Sequence, residues 1–166
     1  MKSVLLSIQP KWCELIANGK KTVEVRKTRP KLETPFKCYI YCTKSNKEFL
    51  QSRNNVMFYC EDRDFIGGHG VGLYKRLNGK VIGEFVCDNI AKGTSQLGSC
   101  LTMREISEYA NGYDVYGWHI SNLVIYDKPK ELNEFLVSGN QTFDYPPLVK
   151  LKRPPQSWCY VEEVQG

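Results

Sequence analysis

The residues with the most chemical potential lie in the stretch NGKKTVEVRKTRP, between Asn18 and Pro30. Lys21, Glu24 and Arg26 fall within it, a set that can hold an anion, read a base edge or move a proton. If residues 20–27 form a strand, Val23 and Val25 point to one sheet face, and Thr22, Glu24 and Arg26 point to the other. Two apart on that face, Glu24 and Arg26 either make an exposed ion pair of small energy or wall a cleft. In a cleft, Arg26 offers a planar fork to phosphate or a base edge, while Glu24 orients it or accepts from an amino group. Lys21 stands where the turn becomes the strand, so alternation does not fix its direction. A lysine whose charged form is disfavoured by its surroundings can serve as base or nucleophile.

Charge singles out the same stretch. The chain carries 23 basic and 18 acidic residues, a formal net of +5. Residues 20–31 hold six of the basic residues (Lys20, Lys21, Arg26, Lys27, Arg29 and Lys31) against one acid, Glu24. The rest of the chain is neutral. A second basic cluster, Lys150, Lys152 and Arg153, lies near the C-terminus. Localised positive charge argues for an anionic partner such as nucleic acid or a nucleotide, although a charge run also makes a solvated face.

Other candidates are weaker. Glu84 is an acid inside the apolar strand pattern VIGEFV, either outward-facing or a cleft-facing general acid or base. Trp118 and Trp158 are core residues or stacking surfaces. The run GGHGVG at 67–72 lacks the phosphate-loop lysine and a strand-to-helix setting, and reads as a flap. The seven cysteines are irregularly spaced and read as free buried thiols. Cys38 and Cys42, the nearest pair, would stand roughly 13 Å apart along a strand, too far for two thiolates each about 2.3 Å from one zinc. Neither a metal nor a cofactor is expected, and no Ser-His-Asp arrangement can be built from His69 and His119.

The elements that must position these residues follow from periodicity and punctuation. Residues 2–8 read as a strand, and Pro10 opens a short helix that buries Trp12, Leu15 and Ile16 and stops at Gly19. Strands are expected at 20–27, 36–42, 80–88, 118–126 and 157–162. Capping boxes at Ser45–Glu48 and Thr102–Glu105 predict two further helices, and Pro129 a short one through Phe135. In the second of these, Ile106, Tyr109 and Ala110 share helical spacing. Residues 61–79 and 138–156 read as loops. The result is an α+β chain with a mixed, curled sheet.

At 166 residues, 42% of them hydrophobic, residues 1–166 are expected to form one domain. The N-terminus shows no signal-peptide pattern before Pro10, and no apolar run is long enough to span a membrane, so a cytoplasmic location is the default. Oligomeric state is left open.

Several short motifs together resemble the ASCH domain (ASC-1 homology) of the PUA-like superfamily. They are Ser7-Ile-Gln-Pro-Lys11, Gly19-x-Lys21-x-x-Glu24-x-Arg26, Val81-Ile-Gly-Glu84-Phe, Tyr116-Gly-Trp118, Tyr126-Asp-Lys-Pro129 and Arg153-Pro-Pro-Gln-Ser-Trp158. The resemblance spans about residues 3–161, with 45–79 poorly covered and read as a family-variable insertion or flap. It implies a small mixed β-barrel of about six strands flanked by three or four short helices. It also implies a basic cleft for RNA or a nucleotide-like ligand, and the candidate lining is Lys11, Lys21, Thr22, Glu24, Arg26, Trp118, Gln156, Ser157 and Trp158. Some relatives in the wider family hydrolyse acylated cytidine-type nucleosides with a lysine, a threonine and a glutamate. Lys21 and Glu84 match two of these, but Glu24 stands where the threonine would be and cannot supply a hydroxyl. The first expectation is therefore an RNA- or nucleotide-binding domain. The alternative is a hydrolase, an amidohydrolase of such nucleosides or a ribonuclease, working through Lys21 and Glu84. A third reading is an adaptor whose basic stripe meets another macromolecule.

Overall fold

In the computed structural model, the described residues are 2–44, 78–93, 101–139 and 146–163, with two short strand segments at 56–57 and 75–76. In chain order the elements are β1 (Ser3–Ile8), α1 (Pro10–Ala17), β2 (Val23–Arg26), β3 (Phe36–Cys42), β4 (Val56–Met57) and β5 (Lys75–Arg76). There follow β6 (Lys80–Lys92), α2 (Met103–Ala110), β7 (Tyr116–Lys130), β8 (Phe135–Ser138), β9 (Leu148–Lys150) and β10 (Trp158–Glu163). A 3-10 turn, Leu132–Glu134, joins β7 to β8.

Eight strands form one mixed sheet in the order β2-β7-β6-β3-β1-β10-β8-β9. Its single parallel pair is β1 with β3, joined by the crossover that contains α1 and β2. The other neighbours run antiparallel. Strand alternation gives the sheet two apolar faces. Val4, Leu6 and Ile8 of β1 join Cys38, Ile40, Phe85 and Trp118 on one face, closed over by Cys13 and Ile16 of α1. Leu5, Tyr39, Tyr41, Val81, Phe135 and Val161 make the other. At Gly83 the long β6 and β7 approach so closely that a β-carbon would lie 2.3 Å from the Val124 carbonyl oxygen. The register of the two strands shifts there, and only glycine leaves room for the contact.

The sheet curls. In strand order β2 is four places from β1, roughly 19 Å in a flat sheet. Yet the Arg26 guanidinium donates to the Ser7 carbonyl at the end of β1 at 2.7 Å. It also reaches Ser157, just before β10. One edge of the sheet therefore bends back over the ends of β1 and β10 and is tied there by a side chain. Among the described residues no backbone ladder joins β2 to either strand, and the sheet they form is mixed and curled.

Pro10 takes the first helical position of α1, and Gly19 follows its end with φ of 69°. The capping box of α2 is present in full: Thr102 accepts from the Glu105 N–H, and the Glu105 carboxylate accepts from the Thr102 N–H. Three expectations are corrected. Of the helix expected at 129–135 only the single 3-10 turn Leu132–Glu134 forms, because β7 runs through Pro129 to Lys130 as a strand. The stretch read as loop at 138–156 contains β9, whose three residues are all exposed at the sheet edge. The described residues hold ten strands, more than the six expected. The predicted helix after Ser45 and the GGHGVG flap lie outside the described residues. No helix among the described residues is long and apolar enough to cross a membrane.

Candidate functional site

A cleft of about 790 Å³ opens where the curled edge meets α2. Its lining comes from β2, the end of β1, the start of α1, one side of α2 and the Gln156-Ser157 approach to β10. All four residues of β2 are buried, which decides between the two readings of the stretch. Val23 and Val25 pack not on the main sheet but on Ile106 and Ala110 of α2, with Val115. Glu24 and Arg26 therefore turn inward, toward the face that carries Trp118, the cross-strand partner of Glu24. A polar face inside the curl needs internal partners, and the charged residues supply them for one another.

Glu24 sits between two cations. Its Oε2 lies 3.2 Å from Lys21 Nζ and its Oε1 lies 3.0 Å from the Arg26 guanidinium. All three side chains are less than a tenth exposed. Lys21 Nζ also donates to the Val23 carbonyl at 2.7 Å and lies 5.4 Å from the Trp12 ring centroid. The terminal nitrogens of Arg26 are taken by Ser7, Ser157 and Glu24. Its Nε is buried with no protein partner among the described residues. Glu24 Oε2, although near Lys21, is likewise outside hydrogen-bond geometry. An unfilled donor and an unfilled acceptor thus sit on residues that line one cleft.

The opposite wall is α2. Glu105, Glu108 and Tyr109 line it, with Leu101 at its foot. Lys27 spans the rim, 5.3 Å from the Tyr109 ring centroid and 5.4 Å from that of Tyr113. Burial raises the Tyr109 phenol above its ordinary value, with the Arg26 charge opposing the rise and the Glu24 charge adding to it. Lys21, Arg26 and Lys27 in the lining face Glu24, Glu105 and Glu108. The cleft is charge-balanced, not basic as expected, because α2 brings acids that the 20–31 stretch lacks.

Of the residues proposed from sequence, Lys21, Glu24, Arg26, Gln156 and Ser157 come together in this lining. Lys11 is exposed, 4.2 Å from the Trp12 ring centroid, and is outside the lining. Thr22 is exposed and contributes its carbonyl to Ile120 of β7. Trp118 is fully buried in the core, edge-on to Phe36, and offers no surface for stacking. Trp158 packs at 5.9 Å from Trp118 and donates its indole N–H to Thr28 at 2.9 Å, also outside the lining.

Glu84 does not join Lys21. It lies opposite Tyr39 of β3 and Val124 of β7, and its carboxylate is held by Lys37 at 2.8 Å and by the Tyr126 hydroxyl. Burial works to raise its carboxyl, but these two hydrogen bonds and the charge of Lys37 hold it below the ordinary value. Sequence reading passed over Trp12 and Tyr109 as helix-face residues and did not single out Ser7, Thr43, Glu105 or Glu108. A polar stripe with one aromatic beside the buried Ile106 and Ala110 was the available signal in α2.

Fold and motif together define a family. The ASCH domain profile matches residues 6–132, and the chain belongs to that family. Among solved structures, the chain is similar to the crystal structure of ASCH from Zymomonas mobilis, at 19% identity and a TM-score of 0.57. The match covers 96% of this chain and 87% of that one. A tyrosine-to-phenylalanine mutant of the same bacterial protein matches at 19% identity and TM-score 0.57, covering 98% and 91%. At this identity the likeness speaks for the fold. A search of curated protein sequences finds no match.

Proposed function

We propose that the cleft binds one nucleotide unit, as a free nucleotide-like molecule or as a residue of single-stranded RNA. The observation that carries this reading is Arg26, nine-tenths buried in the lining with its Nε unpaired. A buried donor without a partner costs about 1–3 kcal/mol, which an incoming acceptor returns. Glu24 Oε2 supplies the matching acceptor. A nucleobase edge offers both an amino donor and a ring or carbonyl acceptor, which would pair with these groups once the Arg26 and Glu24 side chains turn out into the cleft they line. Trp12 and Tyr109 supply aromatic surface in the same lining. Balanced charge suits a neutral base better than a bare phosphate.

The hydrolase alternative gains no support from this geometry. It needs Lys21 and Glu84 in one site, whereas Glu84 is outside the cleft lining and the Lys21 ammonium is engaged by Val23 and Glu24. The test is equilibrium binding of ribonucleoside monophosphates and a short single-stranded RNA, followed by Trp12 fluorescence. Base stacking is worth about 1–3 kcal/mol, so Tyr109→Ala should weaken binding roughly 5- to 150-fold. No binding, or affinity indifferent to both Tyr109→Ala and Arg26→Lys, would remove the reading.

A further inference from the structure

The cleft does not end at Ser157. A second basin of about 480 Å³ adjoins it, and Ser7, Thr43 and Gln156 belong to the walls of both. The two form one trough across the end of β1. Their electrostatics differ sharply. Among the described residues, the charged ones lining the second basin are Lys44 and Lys152, with no carboxylate. The nearest acid in sequence to its wall residue Leu132 is Glu131, whose carboxylate is already bound by Lys80. Lys44 lies against Gly79, where an added β-carbon would come within 3.0 Å of its side chain, so glycine leaves the space that the lysine stem fills. The chain around Lys152 is fixed from both sides. Leu151 N–H donates to Phe135, and the Pro155 carbonyl accepts from the Ser7 hydroxyl at 2.6 Å.

We infer that the second basin is a phosphate subsite, so the ligand is a nucleotide chain running through both basins. A charge-balanced, hydrogen-bonding, aromatic-lined compartment next to one lined by two lysines matches the constitution of a nucleotide: a base in the first and the adjoining phosphodiester in the second. A free nucleoside fills only the first. The inference rests on the reading of the cleft as a nucleotide site, and it deepens it by selecting single-stranded oligonucleotide over nucleoside. It also gives a role to Lys152 of the second basic cluster, which the first cleft does not use.

The test compares ligands that differ only by the phosphodiester. Calorimetric titrations of the full chain would use the four ribonucleosides and the matching dinucleoside monophosphates, each at 50 mM and 200 mM salt. The dinucleotide should bind at least tenfold tighter at low salt. Its log affinity should fall with log salt with a slope of about −0.7 for the one phosphate neutralised, while the nucleoside slope stays near zero. In Lys44→Gln with Lys152→Gln, the dinucleotide-to-nucleoside affinity ratio should fall toward one. Both lysines are exposed, so folding is not at stake. Equal affinities for the two ligands, or a ratio that survives the double substitution, would overturn the phosphate subsite and leave the cleft reading standing. Failure of every nucleoside and dinucleotide to bind would overturn both.

Discussion

Replacing Glu24 by glutamine tests the energetic centre of the structure with almost no change of shape. Glu24 is the one acid between Lys21 and Arg26, at 3.2 and 3.0 Å, with every partner nearly closed off from water. The substitution leaves two buried ammonium and guanidinium charges without a counter-charge. Removing one partner of a buried ion pair costs about 3–5 kcal/mol, since the remaining charge keeps its desolvation penalty. A chain of this size loses about 2–4 °C of Tm per kcal/mol, so the melting temperature should fall by about 6–20 °C. Urea denaturation should show the same loss in midpoint with an unchanged slope. Because the pair is desolvated, raising the salt concentration should restore little of it. Inorganic phosphate, by contrast, should protect the variant more than the wild type, since Lys21 and Arg26 would accept an anion in place of the carboxylate. A loss below about 1 kcal/mol, the scale of an exposed pair, would show that the trio is solvated and would refute the argument.

Three further outcomes are expected. Thr102→Ala removes the capping box of α2 and should cost about 1 kcal/mol, read as a melting shift of about 2–4 °C, and should weaken ligand binding because α2 carries the acidic and aromatic wall. For Glu84, the folded state holds the carboxyl below its ordinary value of 4.5, so its contribution is present above that pH and lost as the pH falls through the folded value. The stability gap between wild type and Glu84→Gln should therefore be full at pH 6 and shrink below about pH 4.5, which acid titrations of the urea midpoint would show. Burial pushes the Cys87 thiol up to about 12 and the Cys159 thiol up to about 11, and raises Cys13 and Cys38 as well. Alkylation near pH 8 should leave these four unmodified in the folded protein and modify them in denaturant, as peptide mass spectrometry would read.

What the sequence made legible was local. Proline at the start of α1, glycine after it, and the Thr102–Glu105 box each fix a helix end through nearest neighbours, and all three stand in the structure. Alternation placed Glu24 and Arg26 on one face, as found. It could not say which face would be buried, because that depends on α2, some eighty residues away, offering an apolar surface to Val23 and Val25. The same long-range packing hid the balance of charge: the acids that answer Lys21, Arg26 and Lys27 come largely from α2. Glu84 was a candidate by residue type, strand setting and family resemblance, and cross-strand register assigns it to Lys37 and Tyr126 instead. The 148–150 strand sits in a proline-flanked stretch and has all three residues exposed, so it lacks the buried alternation that marks a strand in sequence.

The central claim is that a nucleotide unit occupies the cleft over Lys21, Glu24 and Arg26. It is tested most directly by titrating a short single-stranded ribo-oligonucleotide into the isotopically labelled protein and following the backbone amides by NMR. The largest shifts should fall on residues 24–28, 105–109 and 156–157, the three segments that meet only at this cleft. Largest shifts outside the cleft lining, for example around Lys37 and Glu84, or no saturable shifts at all, would contradict it.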